Sequence, residues 1–158
     1  MPTPTDTSGV KVFPPALYLG GLAAGFLLHW LWPLHLVSPG AVLVPRVVGG
    51  VLIALGLSLP IWATATFRGV GTTPNPTRPT TALAFEGPYR YTRNPMYLGL
   101  ALLSAGIALA ANALAPLLAL PIVLWLVRRQ VIDREERYLE AKFGEEYLRY
   151  KGRVRRWV

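Results

Sequence analysis

The chain has 158 residues, 53% of them hydrophobic and only 15% charged, with a mean hydropathy of +0.39; this excludes an ordinary soluble domain and points to the lipid bilayer as solvent. It has no cysteine, so a disulfide framework, a thiolate zinc site, an iron–sulfur cluster and a cysteine nucleophile are all excluded. The net charge of +8 sits beside long apolar stretches rather than on a soluble recognition fold, which assigns it to anionic lipid headgroups and not to nucleic acid.

Residues 1–13 are polar, carry Asp6, and lack the basic start and small-residue cleavage site of a signal peptide. They are expected to form a disordered tail, with residues 14–158 as a single membrane domain. A spanning helix needs about 20 mostly apolar residues. The first candidate runs over residues 15–32, with Pro14 and Pro15 where an opening helical turn tolerates proline. The second covers 47–67 and contains Pro60, which predicts a kink. The third and fourth, 96–111 and 114–127, are separated only by Asn112 and Ala113 and read as a tight helical hairpin. The alternative of one long buried helix conflicts with Pro116 and Pro121.

Four spans place the N-terminus, the loop 68–95 and everything after Val127 on one side. That side holds Lys11, Arg68, Arg78, Arg90, Arg93, Arg128, Arg129 and every later basic residue, leaving Arg46 for the other. The positive-inside rule makes the basic side cytoplasmic, with both termini on it. All eight acidic residues lie there too, so any ionic chemistry belongs to that face. The expected fold is therefore an all-α membrane protein of about four transmembrane helices, closed by a cytoplasmic amphipathic helix over 129–157.

Three features on that face could carry chemistry. The loop 68–95 is long and rich in glycine, proline and threonine, a kind of connection that is commonly functional; Gly69 and Gly71 would permit close backbone approach to a ligand, and a solvated turn is the plain alternative. Asn94–Pro95 is a helix start, with Asn94 as cap and Pro95 in the first helical position. The same arrangement leaves free N–H groups and a positive dipole end near Arg90 and Arg93, suited to a carboxylate or phosphate.

The third feature is RRQVIDREERYLEAKFG, read as a helix continuing past the membrane surface. At about 100° per residue, Val131, Ile132, Tyr138, Leu139 and Phe143 share one face with Glu135 near its centre and Glu136 at its edge. Asp133, Arg137 and Glu140 point away from it, and Gly144 is expected to end the helix as a left-handed cap. A carboxylate within an apolar stripe needs a partner. That partner is either an arginine, such as Arg90, Arg93 or Arg128, or a cationic or polyhydroxyl ligand. Trp157 suits a membrane interface. His29 and His35, with no carboxylate nearby, make a poor metal site and are read as packing residues, so no metal is expected.

Together the segments GPYRYTRNPMYLG (87–99) and REERYLEAKFGEEYLRYKGRVRRW (134–157), separated by a helical hairpin, resemble the membrane methyltransferase superfamily that contains isoprenylcysteine carboxyl methyltransferases and phospholipid N-methyltransferases. The resemblance covers the C-terminal half of the chain. It implies S-adenosylmethionine bound at the cytoplasmic ends of the last two spans. It further implies that Arg90, Arg93, Asn94, Pro95, Tyr97 and Gly99, with the acidic pair Glu135 and Glu136, form the cofactor site. Glu135, Arg93 and Tyr89 are then the candidate catalytic residues. Where prenylcysteine enzymes usually have histidine after the arginine, this chain has Asn94, which is closer to the phospholipid methyltransferases and removes a possible base. The implied acceptor is a lipophilic small molecule reached from the bilayer, a phospholipid amine or a carboxylate. The competing reading is a non-enzymatic membrane scaffold or transporter component whose arginine and glutamate residues form structural ion pairs. Transport favours ionisable groups inside the spans, and His29 is the one such residue there.

Overall fold

In the computed structural model, residues 7–10, 12–71 and 80–158 are described; Lys11, Arg78, most of the N-terminal tail and the middle of the loop 68–95 lie outside them. Among the described residues six α-helices follow in order: α1 Pro14–Leu31, α2 Leu43–Gly69, α3 Pro95–Ala110, α4 Leu114–Val127, α5 Asp133–Phe143 and α6 Glu145–Arg153. Among the described residues there is no strand beyond one isolated bridge between His35 and Ala113. Two helical stretches, Leu43–Gly69 and Leu114–Phe143, are long and apolar enough to cross a membrane; Pro95–Ala110 is shorter. The outward faces carry Leu19 and Trp30 on α1, Val51 and Ile61 on α2, and Leu118 and Ile122 on α4, all exposed. Apolar surface of that extent matches lipid rather than water.

The central helix is α3, with α2 on one side and α4 on the other, and α1 against α4. Small residues make the contacts close, as expected where lipid leaves little hydrophobic drive between helices. A Cβ on Gly106 would stand 2.7 Å from the Gly49 carbonyl oxygen, and one on Gly25 of α1 would stand 2.4 Å from Pro116 Cα in α4. The α3–α4 turn places Asn112 at φ 54°. Its side-chain amide accepts from Val37 N at 3.1 Å and donates to Val37 O at 2.9 Å, pinning the α1–α2 connection to the hairpin. His29 and His35 meet edge to face, 5.3 Å between ring centroids, at this same end of the bundle.

Three expectations are corrected here. The second apolar helix extends beyond 47–67 at both ends, to Leu43–Gly69. The C-terminal helix expected over 129–157 is not continuous: a π-helical turn, Arg128–Ile132, precedes α5, and α6 follows a break at Gly144. Gly144 ends α5 as expected, its N–H donating to the Glu140 carbonyl at 2.9 Å, but with φ 52° and ψ −126° it lies outside the left-handed helical well, and it also opens α6. Lastly, part of the N-terminal tail is packed. Val10 is buried among Val127, Val131 and Ile132, and Arg134 donates to the Gly9 carbonyl at 3.2 Å.

Candidate functional site

The break at Gly144 lets α6 fold against α5, and this brings Tyr147 and Tyr150 into a cluster with Ala63, Ala84 and Tyr89. A second cluster forms around Val127, Val131, Ile132 and Tyr18. At their boundary, at the N-terminal end of α3, lies a cavity of about 120 Å³, room for on the order of ten waters. Its walls include Tyr89, Arg93, Asn94, Pro95 and Tyr97 from one sequence segment and Glu135 and Glu136 from the other.

The two glutamates have different partners. Tyr97 donates its hydroxyl to Glu135 Oε1 at 2.8 Å, and among the described residues no cation pairs with Glu135. The arginine partner considered for Glu135 belongs instead to Glu136. Its carboxylate is buried and accepts Arg156 Nε at 3.0 Å and Nη2 at 2.7 Å, with Arg93 Nη1 at 3.3 Å and Lys151 Nζ at 4.0 Å. Glu136, placed at the edge of the apolar face by a uniform α-wheel, is nonetheless buried as a residue, covered by Arg93, Lys151 and Arg156.

Electrostatics separates the pair further. Burial pushes the Glu135 carboxyl up to about 7; Glu136 adds to the rise and the Tyr97 hydrogen bond opposes it. Near neutral pH Glu135 is therefore divided between acid and carboxylate. Burial, then Tyr150 and Glu135, hold the Tyr89 phenol well above its ordinary range. That leaves Tyr89 protonated at neutral pH, able to donate a hydrogen bond but not to act as a base. The Tyr147 phenol is pushed up to about 12, chiefly by burial and then by Glu136, with Arg93 opposing. Hydrogen bonds from Arg156 to Glu136 raise the Arg156 guanidinium.

Arg93 stands out. Its side chain is about nine-tenths buried, yet Nε and Nη1 have no hydrogen-bond acceptor. Nη1 lies within 3.3 Å of Glu136 Oε1 as a charge contact without hydrogen-bond alignment. Buried donors left in this way call for an explanation, and an acceptor supplied by a ligand is one.

Other expected positions fall elsewhere. Asn94 precedes Pro95 at the start of α3 but its side chain does not cap the helix; Asn94 Nδ2 donates to the Arg156 carbonyl at 2.9 Å. Gly99 packs against α2, where a Cβ would meet Pro60 Cδ at 2.5 Å, and does not line the cavity. Arg90 is exposed and paired with Glu86. Gly69 and Gly71 are also absent from the walls. Asp133 and Glu140 do point away from the cavity, yet Asp133 meets Arg156 at 3.3 Å and Glu140 pairs with Lys151. Trp157 packs, partly buried, against the Val127–Ile132 cluster. Tyr138 and Leu139, expected on the apolar face beside Glu135, line the cavity, and so do Phe67, Tyr147 and Tyr150, which the sequence did not assign to a site. The one available signal was Tyr147 and Tyr150 at a three-residue spacing, which puts two aromatic rings on one helical face.

Comparison with known proteins decides the family. The phospholipid methyltransferase family profile matches residues 44–146. The chain belongs to this family. This member of the phospholipid methyltransferase family has relatives of differing description. It is 47% identical over 64 residues to an uncharacterised protein of Haemophilus influenzae, a match covering 40% of this chain and all of the other. It is 33% identical over 72 residues, 46% of this chain, to the protein-S-isoprenylcysteine O-methyltransferase of Schizosaccharomyces pombe, covering 30% of that protein. A match of the same identity and length to protein-S-isoprenylcysteine O-methyltransferase B of Arabidopsis thaliana covers 36% of it. The chain thus matches about a third of each of these two methyltransferases. No solved structure matches. Family membership supports a membrane methyltransferase activity for this apolar, helical chain.

Proposed function

We propose that this protein is a four-span integral membrane methyltransferase that uses S-adenosylmethionine and acts on a lipophilic acceptor at the cytoplasmic face. The observation that carries the reading is the pairing, across one cavity, of Arg93 donors that lack an acceptor with a Glu135 carboxyl whose described partner is Tyr97. These residues fit an amino-acid ligand that also bears a sulfonium: Arg93 offers N–H groups to a carboxylate, and ionised Glu135 offers charge to a cationic centre. S-adenosylmethionine would supply an electrophilic methyl group for in-line displacement, a reaction that depends mainly on alignment.

The remaining tasks fall to the chain itself. Tyr97 orients Glu135. Phe67, Leu83, Met96 and Leu139 form an apolar wall that excludes water and admits an acyl or prenyl chain. A carboxylate acceptor needs no base. An ammonium acceptor must first lose a proton, and the Glu135 carboxyl, held near neutrality, is matched to receive it. Spanning by α1–α4 with both termini cytoplasmic follows from the one-sided distribution of lysine and arginine. The partners are the bilayer lipids and the acceptor, with no nucleic acid.

Calorimetry with S-adenosylhomocysteine in detergent, followed by incubation with isotopically labelled S-adenosylmethionine and a membrane extract, tests the reading. Binding and a labelled lipid or small molecule are expected. Absence of both would refute it.

A further inference from the structure

The extended residues after α6 touch both halves of the cavity. Arg93 N donates to the Arg155 carbonyl at 3.0 Å. The Arg156 carbonyl accepts Asn94 Nδ2 at 2.9 Å and Thr92 Oγ1 at 3.1 Å. The backbone of 155–156 is therefore laid along Thr92–Asn94 through main-chain carbonyls. The Arg156 side chain has a separate set of contacts. Its Nε and Nη2 take both oxygens of Glu136, and Nη2 reaches Asp133 Oδ1 at 3.3 Å. Arg156 is not among the cavity-lining residues; it approaches Glu136 from behind.

Glu136 lies between two guanidinium groups of unequal claim. Towards Arg156 it makes a bidentate, charge-assisted pair, the strongest geometry available to a carboxylate. Towards Arg93 it offers only the 3.3 Å approach to Nη1, and Arg93 Nε and Nη1 stay without an acceptor. If position 156 offered no cation, the carboxylate, with a side-chain exposure of 7%, would lose both of these hydrogen bonds and keep only the charge contacts of Lys151 Nζ at 4.0 Å and Arg93 Nη1 at 3.3 Å. Arg93 is then the nearest buried cation able to complete its hydrogen bonding.

We infer that Arg156 is a positioning residue: by occupying both oxygens of Glu136 it keeps Arg93 from closing onto that carboxylate and so holds the Arg93 donors open to a ligand carboxylate in the cavity. Glu136 on this account serves as a charge-balancing group between two arginines and makes no ligand contact. The inference rests on the cofactor reading proposed above.

The test is a set of S-adenosylhomocysteine affinities measured calorimetrically in detergent, with thermal unfolding as the check on folding. Arg156→Gln is expected to weaken binding about tenfold or more. Arg156→Lys, which keeps the charge but not the bidentate fork, should fall between it and the parent. The deciding variant is Glu136→Gln combined with Arg156→Gln. With no carboxylate to capture Arg93, it should recover binding to within about threefold of the parent, a coupling that neighbouring sites can show. Arg156→Gln binding within threefold of the parent overturns the inference. So does a double variant no better than Arg156→Gln, because the residue would then act only as a strap for the C-terminal segment. Should Arg156→Gln not fold, Arg156→Lys with and without Glu136→Gln gives the same comparison, and either of the same two results overturns the inference. A parent that binds no S-adenosylhomocysteine overturns the cofactor reading and this inference together, whereas a parent that binds with unaffected variants overturns this inference alone.

Discussion

Tyr97 and Glu135, 38 residues apart in sequence, are joined by a 2.8 Å hydrogen bond from phenol to carboxylate across the cavity. This bond opposes the rise that burial imposes on the Glu135 carboxyl. Tyr97→Phe removes the donor and is expected to move the pH midpoint of S-adenosylmethionine binding upward by about one unit, from the energy of a hydrogen bond to a charged group. A midpoint that stayed in place or fell would show that Tyr97 does not govern Glu135.

The pH dependence itself follows from Glu135. Its carboxyl is raised from 4.5 to about 7, so the neutral acid is favoured in the fold. The stabilisation from this group is complete below about 4.5 and lost as pH rises through about 7. A ligand bearing positive charge prefers the ionised form, so affinity should rise as pH rises through about 7. It should release a proton on binding, seen as an enthalpy that varies with the buffer. Glu135→Gln should flatten this profile and weaken binding at pH 8. A wild-type affinity independent of pH from 6 to 8 would remove Glu135 from the ligand site.

Gly99 is a packing residue in this fold, because an added Cβ would stand 2.5 Å from Pro60 Cδ and 2.9 Å from the Gly56 carbonyl oxygen. Gly99→Ala should destabilise the protein by about 1–3 kcal/mol through overpacking between α2 and α3, read as a lower thermal midpoint in detergent. Ligand affinity of the folded fraction should change little. A large affinity loss at unchanged stability would return Gly99 to the cofactor site.

At the opposite end, Asn112 combines a left-handed backbone with two hydrogen bonds to Val37. Asn112→Ala should cost about 1–3 kcal/mol, from unpaired Val37 groups and a conformation alanine disfavours. Asn112→Gly keeps the backbone freedom, so it should recover only part of the loss. Full recovery by glycine would mean that the side-chain bonds contribute nothing.

Much of the architecture was legible along the chain because it depends on local composition. Apolar length located the helices around Trp62, Ser104 and Leu120, proline at positions 14, 15 and 95 marked helix starts, and Asn112–Ala113 marked the hairpin turn. The segments 87–99 and 134–157 pointed to the family that the profile match then showed. What remained hidden depends on pairs distant in sequence. Gly144 was legible as the end of a helix, but a uniform helical wheel could not foresee the π-helical turn at Arg128–Ile132, because a backbone irregularity of this kind arises where packing overrides the local preference.

The acidic pair shows the division most clearly. By itself the sequence determined that two adjacent carboxylates, Glu135 and Glu136, stand on a helix beyond the last apolar stretch, next to an apolar stripe, with arginines available on the same side. Only the tertiary structure decided which does what. Both line the cavity, but Glu136 is surrounded by Arg93, Lys151 and Arg156, while Glu135 is bonded to Tyr97. The reason is physical: adjacent residues on a helix point about 100° apart, so the environments of two neighbouring carboxylates are set by whatever packs on each side, here α3 on one and the C-terminal segment on the other.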